Sequence, residues 1–282
     1  MLQFNPATIQ REAHQVRCRP IVEDDFHPLV NLLARGFPRT RRDYWIRGLS
    51  RWRTLPVVEG VPRYGYLLDG GMGLVGAILL LSSERGGRLV SSMSNWYVEP
   101  AWRVHSPLLI AVAARLKHVT YIAASASPQT WRILQAQGFR PYNFGRSSVF
   151  PFPGKGRVSG DIPGDLAEAR LLRDHREMDA VSLTVEKDGL VSPFVFRPCR
   201  AATTPSVKMM ELIYCRDTDD FKRCAPALAR HFYKQGVMGF VVDGRVTGMP
   251  ARYVEGEELR YYRGLQPPVL NDLAYTKKTV FG

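Results

Sequence analysis

Residues 95–109 read NWYVEPAWRVHSPLL. Asn95 to Val98 alternate like an extended segment, and Pro100 stops it. Ser106 holds the place of a helix N-cap, Pro107 that of the first helical residue, and the apolar run LLIAVAARL follows. A helix opened in this way points backbone N–H groups outward at the positive end of its dipole, where an anion is favoured. Phosphate cradles between a strand and a helix usually carry glycines, and this turn has none. Whether it still holds a phosphate is the first question the chain poses.

Working outward, the neighbouring segments alternate between strand and helix patterns. CRPIVEDDF reads as a short strand with an acidic end, and DFHPLVNLLARGF as the first helix. YGYLLDGGMGLVGAILLLSSE reads as two strands joined at Asp69-Gly70-Gly71, a hairpin signal. RLVSSMSNWYV is a further strand, and the helix near Ser106 follows it. VTYIAAS is a strand, PQTWRILQAQ a helix closed by Gly138, and FRPYNFGRSSVFPF a strand. This alternation implies an α/β layer with a mixed sheet. Residues 151–170, rich in Pro and Gly, read as a linker or crossing loop.

Composition narrows the class. The chain has 282 residues, 45% of them hydrophobic and 23% charged, as expected of one large globular domain or two modest ones. Residues 1–20 contain no apolar stretch long enough for a signal peptide, and the longest apolar runs are too short to span a bilayer. The expectation is a cytoplasmic protein with no membrane span. Four dispersed cysteines and six scattered histidines show no metal-ligand spacing, so no metal is expected.

A net charge of +13 calls for a negatively charged partner, whether nucleic acid, anionic lipid or polyphosphate. The basic segment PRTRRDYWIRGLSRWR (38–53) mixes cations with aromatics, as a nucleic-acid groove would. Tyr44, Trp45, Leu49 and Trp52 also fall close to one helical face, which packing alone produces. The periodicity favours an amphipathic helix with solvated arginines, leaving nucleic acid as a lesser alternative.

Aligned without gaps, residues 20–37 and 215–232 share Asp24/Asp219, Asp25/Asp220, Phe26/Phe221, Leu33/Leu228, Ala34/Ala229, Arg35/Arg230 and Phe37/Phe232. Each stretch precedes a hairpin-like segment, GYLLDGGMGLVGA and GFVVDGRVTGM. This suggests an internal repeat whose second copy lacks one helix.

RPIVEDDF, LVGAILL, WYVEPAWR and SASPQTWRILQAQGFRP, in that order, give residues 17–150 a resemblance to the GNAT superfamily of acyl-CoA N-acyltransferases. The resemblance implies a mixed, centrally splayed sheet flanked by helices, with the pantetheine arm of acetyl-CoA or another acyl-CoA lying in the split. It further implies a partial second copy at the C-terminus. The expected division is 1–150 as the acyl-CoA-binding domain, 151–208 as a connecting segment, and 209–282 as a degenerate repeat packed on the first.

Carried over residue by residue, the resemblance assigns acyl-CoA contacts to Trp96, Val98, Arg103, Val104, His105, Ser106, Ser127 and Thr130. Val98, Pro100 and Arg103 match the family loop, but its two glycine positions fall on Ser106 and Leu108. The tyrosine that often protonates the leaving thiolate falls on Leu134, and the usual asparagine on Ser127. No carboxylate stands on 89–98 as a general base, so Tyr97 and Tyr142 are the catalytic candidates, with Glu99 nearby. The implied activity is direct acyl transfer to an amine or hydroxyl of a small-molecule or peptide acceptor. The alternatives are a non-catalytic module that binds CoA or a partner and, last, a nucleic-acid-binding protein.

Overall fold

The Asp69-Gly70 turn does what its sequence demands: Gly71 takes a φ of 86°, its N–H bonds the Asp69 side chain at 2.9 Å, and two strands zip together behind it. The computed structural model describes residues 16–85, 87–201 and 204–282. The reading against a signal peptide, and the start of the expected 1–150 domain, rest mainly on residues 1–15 and lie outside the described residues.

The first half runs β1 (Arg17–Pro20), α1 (Phe26–Gly36), α2 (Arg42–Thr54), β2 (Gly65–Asp69), β3 (Leu74–Arg85), β4 (Arg88–Val98), α3 (Ser106–Ala113), β5 (Val119–Ala123), α4 (Pro128–Ala136) and β6 (Arg140–Val149). The second runs β7 (Arg157–Ser159), α5 (Ala169–Glu177), β8 (Val181–Lys187), β9 (Leu190–Arg200), β10 (Lys208–Tyr214), α6 (Thr218–Tyr233), β11 (Phe240–Asp243), β12 (Ala251–Arg263) and α7 (Lys277–Val280). All twelve strands join one sheet in the order β1-β2-β3-β4-β5-β12-β6-β11-β10-β9-β8-β7. β4 and β5 pair in parallel, as do β10 and β11, while every other neighbouring pair is antiparallel.

That order is a palindrome of two similar halves. β1 to β5 correspond to β7 to β11, and the last strands are exchanged: β12 pairs β5 of the first half, and β6 pairs β11 of the second. Neither half closes its own sheet. The second copy is partial: a single helix, α5, stands where the first half has α1 and α2, and a loop replaces α4.

Two expectations change. Residues 151–208 hold β7, α5, β8 and β9, and so belong to the second half of the sheet rather than to a connection. The gapless match of 20–37 with 215–232 pairs elements in different places. α1 follows an edge strand, whereas α6 joins two parallel strands and corresponds to α3. The Asp-Asp pair just precedes α1 and lies in the first turn of α6; acidic residues favour any helix N-terminus, which says nothing about topology.

Burial follows the amphipathic patterns. α2 buries Trp45, Leu49 and Trp52 with α1 on one sheet face and exposes Arg41, Arg42, Arg47 and Arg53. The aromatics that a nucleic-acid groove would use for stacking are therefore committed to the core. α3 and α4 cover the opposite face, around Tyr66, Met93, Tyr121 and Leu134. In the second half α6 covers Val185, Phe194, Phe196 and Phe240, and α5 covers Val195 and Ile213. The C-terminal Val280 and Phe281 return to the first half and pack with α1 and α2.

A buried ion network ties the exchanged strands. Arg146 on β6 binds Glu211 of β10 and, at 3.2 Å, Asp243 of β11. Arg260 on β12 meets Asp243 at 2.7 Å, and Lys278 meets Glu211 at 3.2 Å. No helix among the described residues is long and apolar enough to cross a membrane.

Candidate functional site

The parallel strands β4 and β5 stay in register only from Leu89–Val119 to Met93–Ala123. Beyond that point β4 carries an extra residue: Asn95 and Trp96 stand opposite the single residue Ile78 of β3. This bulge turns Asn95 into the left-handed region at φ 50°, which Asn tolerates better than most residues. The sheet parts here, and a cleft of about 140 Å³ opens in the gap. Ser94, Asn95 and Trp96 of β4, Ser125, Ser127 and Thr130 around the start of α4, Phe37 after α1, and Lys277 are among the residues that line it.

The cleft wall is mostly apolar, but it carries a cluster of unsatisfied polar atoms. Ser94 Oγ and both amide atoms of Asn95 are buried without a hydrogen-bond partner. Such groups are costly unless something supplies the missing bonds, so their clustering on a cavity wall marks a binding surface. Ser127 precedes α4, and its carbonyl accepts the Thr130 hydroxyl at 2.7 Å. Lys277 Nζ lies 5.5 Å from the Phe37 ring centroid and 5.6 Å from that of Trp45. Burial lowers its pKa from the ordinary lysine value.

The turn above β4 differs from its sequence reading. A 3-10 turn over Pro100–His105 runs directly into α3, so Ser106 is a helical residue (φ −57°, ψ −42°) rather than a cap. Its N–H donates to the Arg103 carbonyl, and His105, also in a helical conformation, precedes α3 without a side-chain cap. One amide that an anion cradle would offer is already used. What remains is charge: Arg103 is exposed, and His105 rests on Trp102 with centroids 6.1 Å apart. Val104 is 80% exposed. Glu99 pairs with Arg35 at 2.7 Å, which pins the turn to α1.

The structure thus brings Trp96, Ser127 and Thr130 together in the cleft, buries Val98 in the core beneath, and leaves Arg103, Val104, His105 and Ser106 on the turn beyond β4. Neither catalytic candidate is among the lining residues. Tyr97 packs on Phe37 with centroids 6.1 Å apart and closes on Gly36, where a Cβ would collide with its ring. Tyr142 stands edge-on to Tyr262 at 5.7 Å, and burial pushes its phenol pKa up despite the nearby Arg260. Asn95 and Lys277 were not anticipated. The sequence signal for Asn95 is its tolerance of positive φ, and Lys277 stands in a stretch, YTKKTVF, that carries no motif.

A larger cavity of about 610 Å³ lies between the 55–59 loop, Ser82–Glu84 of β3 and the start of α5. It shares no lining residue with the cleft, and its Glu168 is engaged by Arg216 at 2.8 Å. The bulge and the unpartnered polar atoms make the smaller cleft the candidate site. Among the described residues no group of three or more His, Cys, Asp or Glu is placed to hold a metal ion.

No protein-family model and no curated protein matches the sequence. Solved structures do match in shape. A GCN5-related N-acetyltransferase from Anabaena variabilis superposes with a TM-score of 0.59 at 8% identity, over 91% of this chain and 73% of that one. One from Kribbella flavida gives 0.57 at 12%, over 90% and 72%. A candidate acetyltransferase from Pyrococcus horikoshii gives 0.53 at 12%, over 96% of both chains. Each match runs across both halves. With identities this low the likeness is one of fold: this chain has the fold of the GCN5-related N-acetyltransferases.

Proposed function

We propose that the chain is an acyl-CoA-dependent acyltransferase acting on an amine or hydroxyl of a small-molecule or peptide acceptor. The observation that carries this reading is the polar bulge at Asn95, set where two parallel strands part. An extended pantetheine arm satisfies backbone groups exposed by the parting strands, much as an added strand would. A thioester held there lies against the bulge, where a strand N–H stabilises the oxyanion formed on attack. The exposed Arg103 and the adjacent His105 take the phosphates, in place of the amides that glycines would free.

The chemistry asks little more. A neutral amine adds to the thioester carbonyl, the C–S bond breaks, and the amine proton passes to the departing thiolate. Proximity supplies much of the rate. With neither tyrosine in the cleft, proton transfer falls to water or to Lys277. That same gap supports the second reading, a CoA-binding module without turnover. Calorimetric titration with CoA tests the shared premise. Arg103→Ala should weaken binding by about 1–3 kcal/mol, the range for a charge-assisted bond; unchanged affinity would remove Arg103 from the site. Release of free thiol from acetyl-CoA in the presence of primary amines separates enzyme from module.

A further inference from the structure

Among the described residues lining the cleft, one side chain is ionisable, and it comes from the far end of the chain. Lys277 opens α7, whose position is fixed from several sides. The Thr279 hydroxyl accepts from the Thr276 N–H at 3.0 Å and donates to the Ala274 carbonyl at 3.0 Å. Val280 is fully buried, and the Phe281 ring meets Tyr44, Trp45 and Trp52 at 5.8, 6.0 and 6.1 Å. α2 receives that ring at Gly48, where any Cβ would collide with it. Lys277 is therefore held between anchored neighbours.

Its surroundings keep the amine reactive. The contacts of Nζ are aromatic faces, those of Phe37 and Trp45. The charged groups of the adjoining cavity, Arg260 and Lys278, are both cations, committed to Asp243 and Glu211. Burial favours the free base.

We propose that Lys277 is an acylation site, modified by the protein itself from the acyl-CoA bound in the cleft. This rests on the acyl-CoA reading above. The Nζ lone pair attacks the thioester carbonyl carbon, the C–S bond breaks, and one amine proton goes to the thiolate. The products are N-acyl-lysine and free CoA, with no oxidant or reductant involved. Aminolysis of a thioester needs a neutral amine, a good leaving group and closeness; burial shifts Lys277 toward the first, and its place on the cleft wall supplies the last. The acylated side chain is neutral, loses its cation–π contacts and occupies the cleft, so the reaction limits itself.

The test is a time course of the full chain with acetyl-CoA, read by peptide mass mapping, alongside calorimetry with CoA. Acetyl-Lys277 should appear roughly tenfold or more faster than acetylation of the exposed Lys117, Lys155, Lys208 and Lys234. Free thiol should be released in equal amount, and Lys277→Arg should abolish the fast phase. If CoA binds and Lys277 is labelled no faster than the surface lysines, the proposal is overturned while the acyl-CoA reading stands. If CoA does not bind, both fall.

Discussion

Among the described residues a helix joins two parallel neighbouring strands twice, α3 after β4 and α6 after β10, and the two crossings differ in what they leave unsatisfied. Both strands carry an extra residue near their ends, at Asn95–Trp96 in β4 and at Ile213 in β10. In β4 the bulge is polar, left-handed at Asn95 and open to a cleft. In β10 it is apolar, with Ile213 buried against α5. The turn after β4 carries Arg103 and His105; the turn after β10 carries Asp217, Asp219 and Asp220. The first half has α4 as a cleft wall, and the second has none. Two copies of one backbone plan thus diverge into a site and a support. The difference lies in which groups are left unsatisfied.

The sharpest way to break the comparison is to cut what makes the halves interdependent. Arg146 serves Glu211 and Asp243 together, so Arg146→Ala leaves two buried carboxylates with less than their share of positive charge. The expected loss is about 3–5 kcal/mol, seen as one cooperative shift in denaturant unfolding. Two separate transitions, with only the second half destabilised, would show that the exchanged strands do not couple the halves. The same network sets an acid limit. Burial alone would raise the Glu211 pKa, but Arg146 and Lys278 outweigh it and hold it below the ordinary value. A folded pKa below the unfolded one, about 4.3, gives stability that is present above that pH and lost as pH falls through the lower folded value. Unfolding midpoints measured across pH 3–6 should decline toward the acid end, and Glu211→Gln should flatten that decline.

A smaller effect is expected at the bulges themselves. Asn95→Ile places a β-branched residue at φ 50°, costing about 1–2 kcal/mol in stability. It also fills the polar part of the wall, so CoA affinity should fall further than stability does. Ile213 shows no positive φ, so the second bulge accommodates the side chain that the first should reject. Intact CoA binding in Asn95→Ile would mean that the cleft is not the site.

Local signals made much of the first half legible. The Asp69-Gly70 hairpin, the start of α4 at Pro128 and its left-handed close at Gly138 are each specified by a few neighbouring residues. The second half resisted because its signals conflict. β7 has three residues, and β9 carries Pro193 and Pro198, which in a sequence argue against an interior strand. The site was half legible. Trp96, Ser127 and Thr130 are assigned through the family resemblance, whereas the cleft also takes Phe37 and Lys277, brought to it by the end of α1 and by the returning C-terminal segment. Tyr97 and Tyr142 show the converse: the sequence offers them, but neither lines the cleft.

The mildest prediction isolates the second crossing. Asp217 accepts the Asp220 N–H at 2.7 Å and caps α6, while α3 has no such cap. A cap of this kind contributes about 1 kcal/mol, so Asp217→Ala should lower stability by that amount. If the two crossings have parted roles, nothing else should change. CoA should bind once per chain in the wild type and in Asp217→Ala, with equal affinity. The reason is that Asp219 and Asp220 still place negative charge where a phosphate would have to sit, and a loop replaces the missing wall. A second CoA equivalent bound by either protein would show that the acidic crossing is also a site, and the division between site and support would fail.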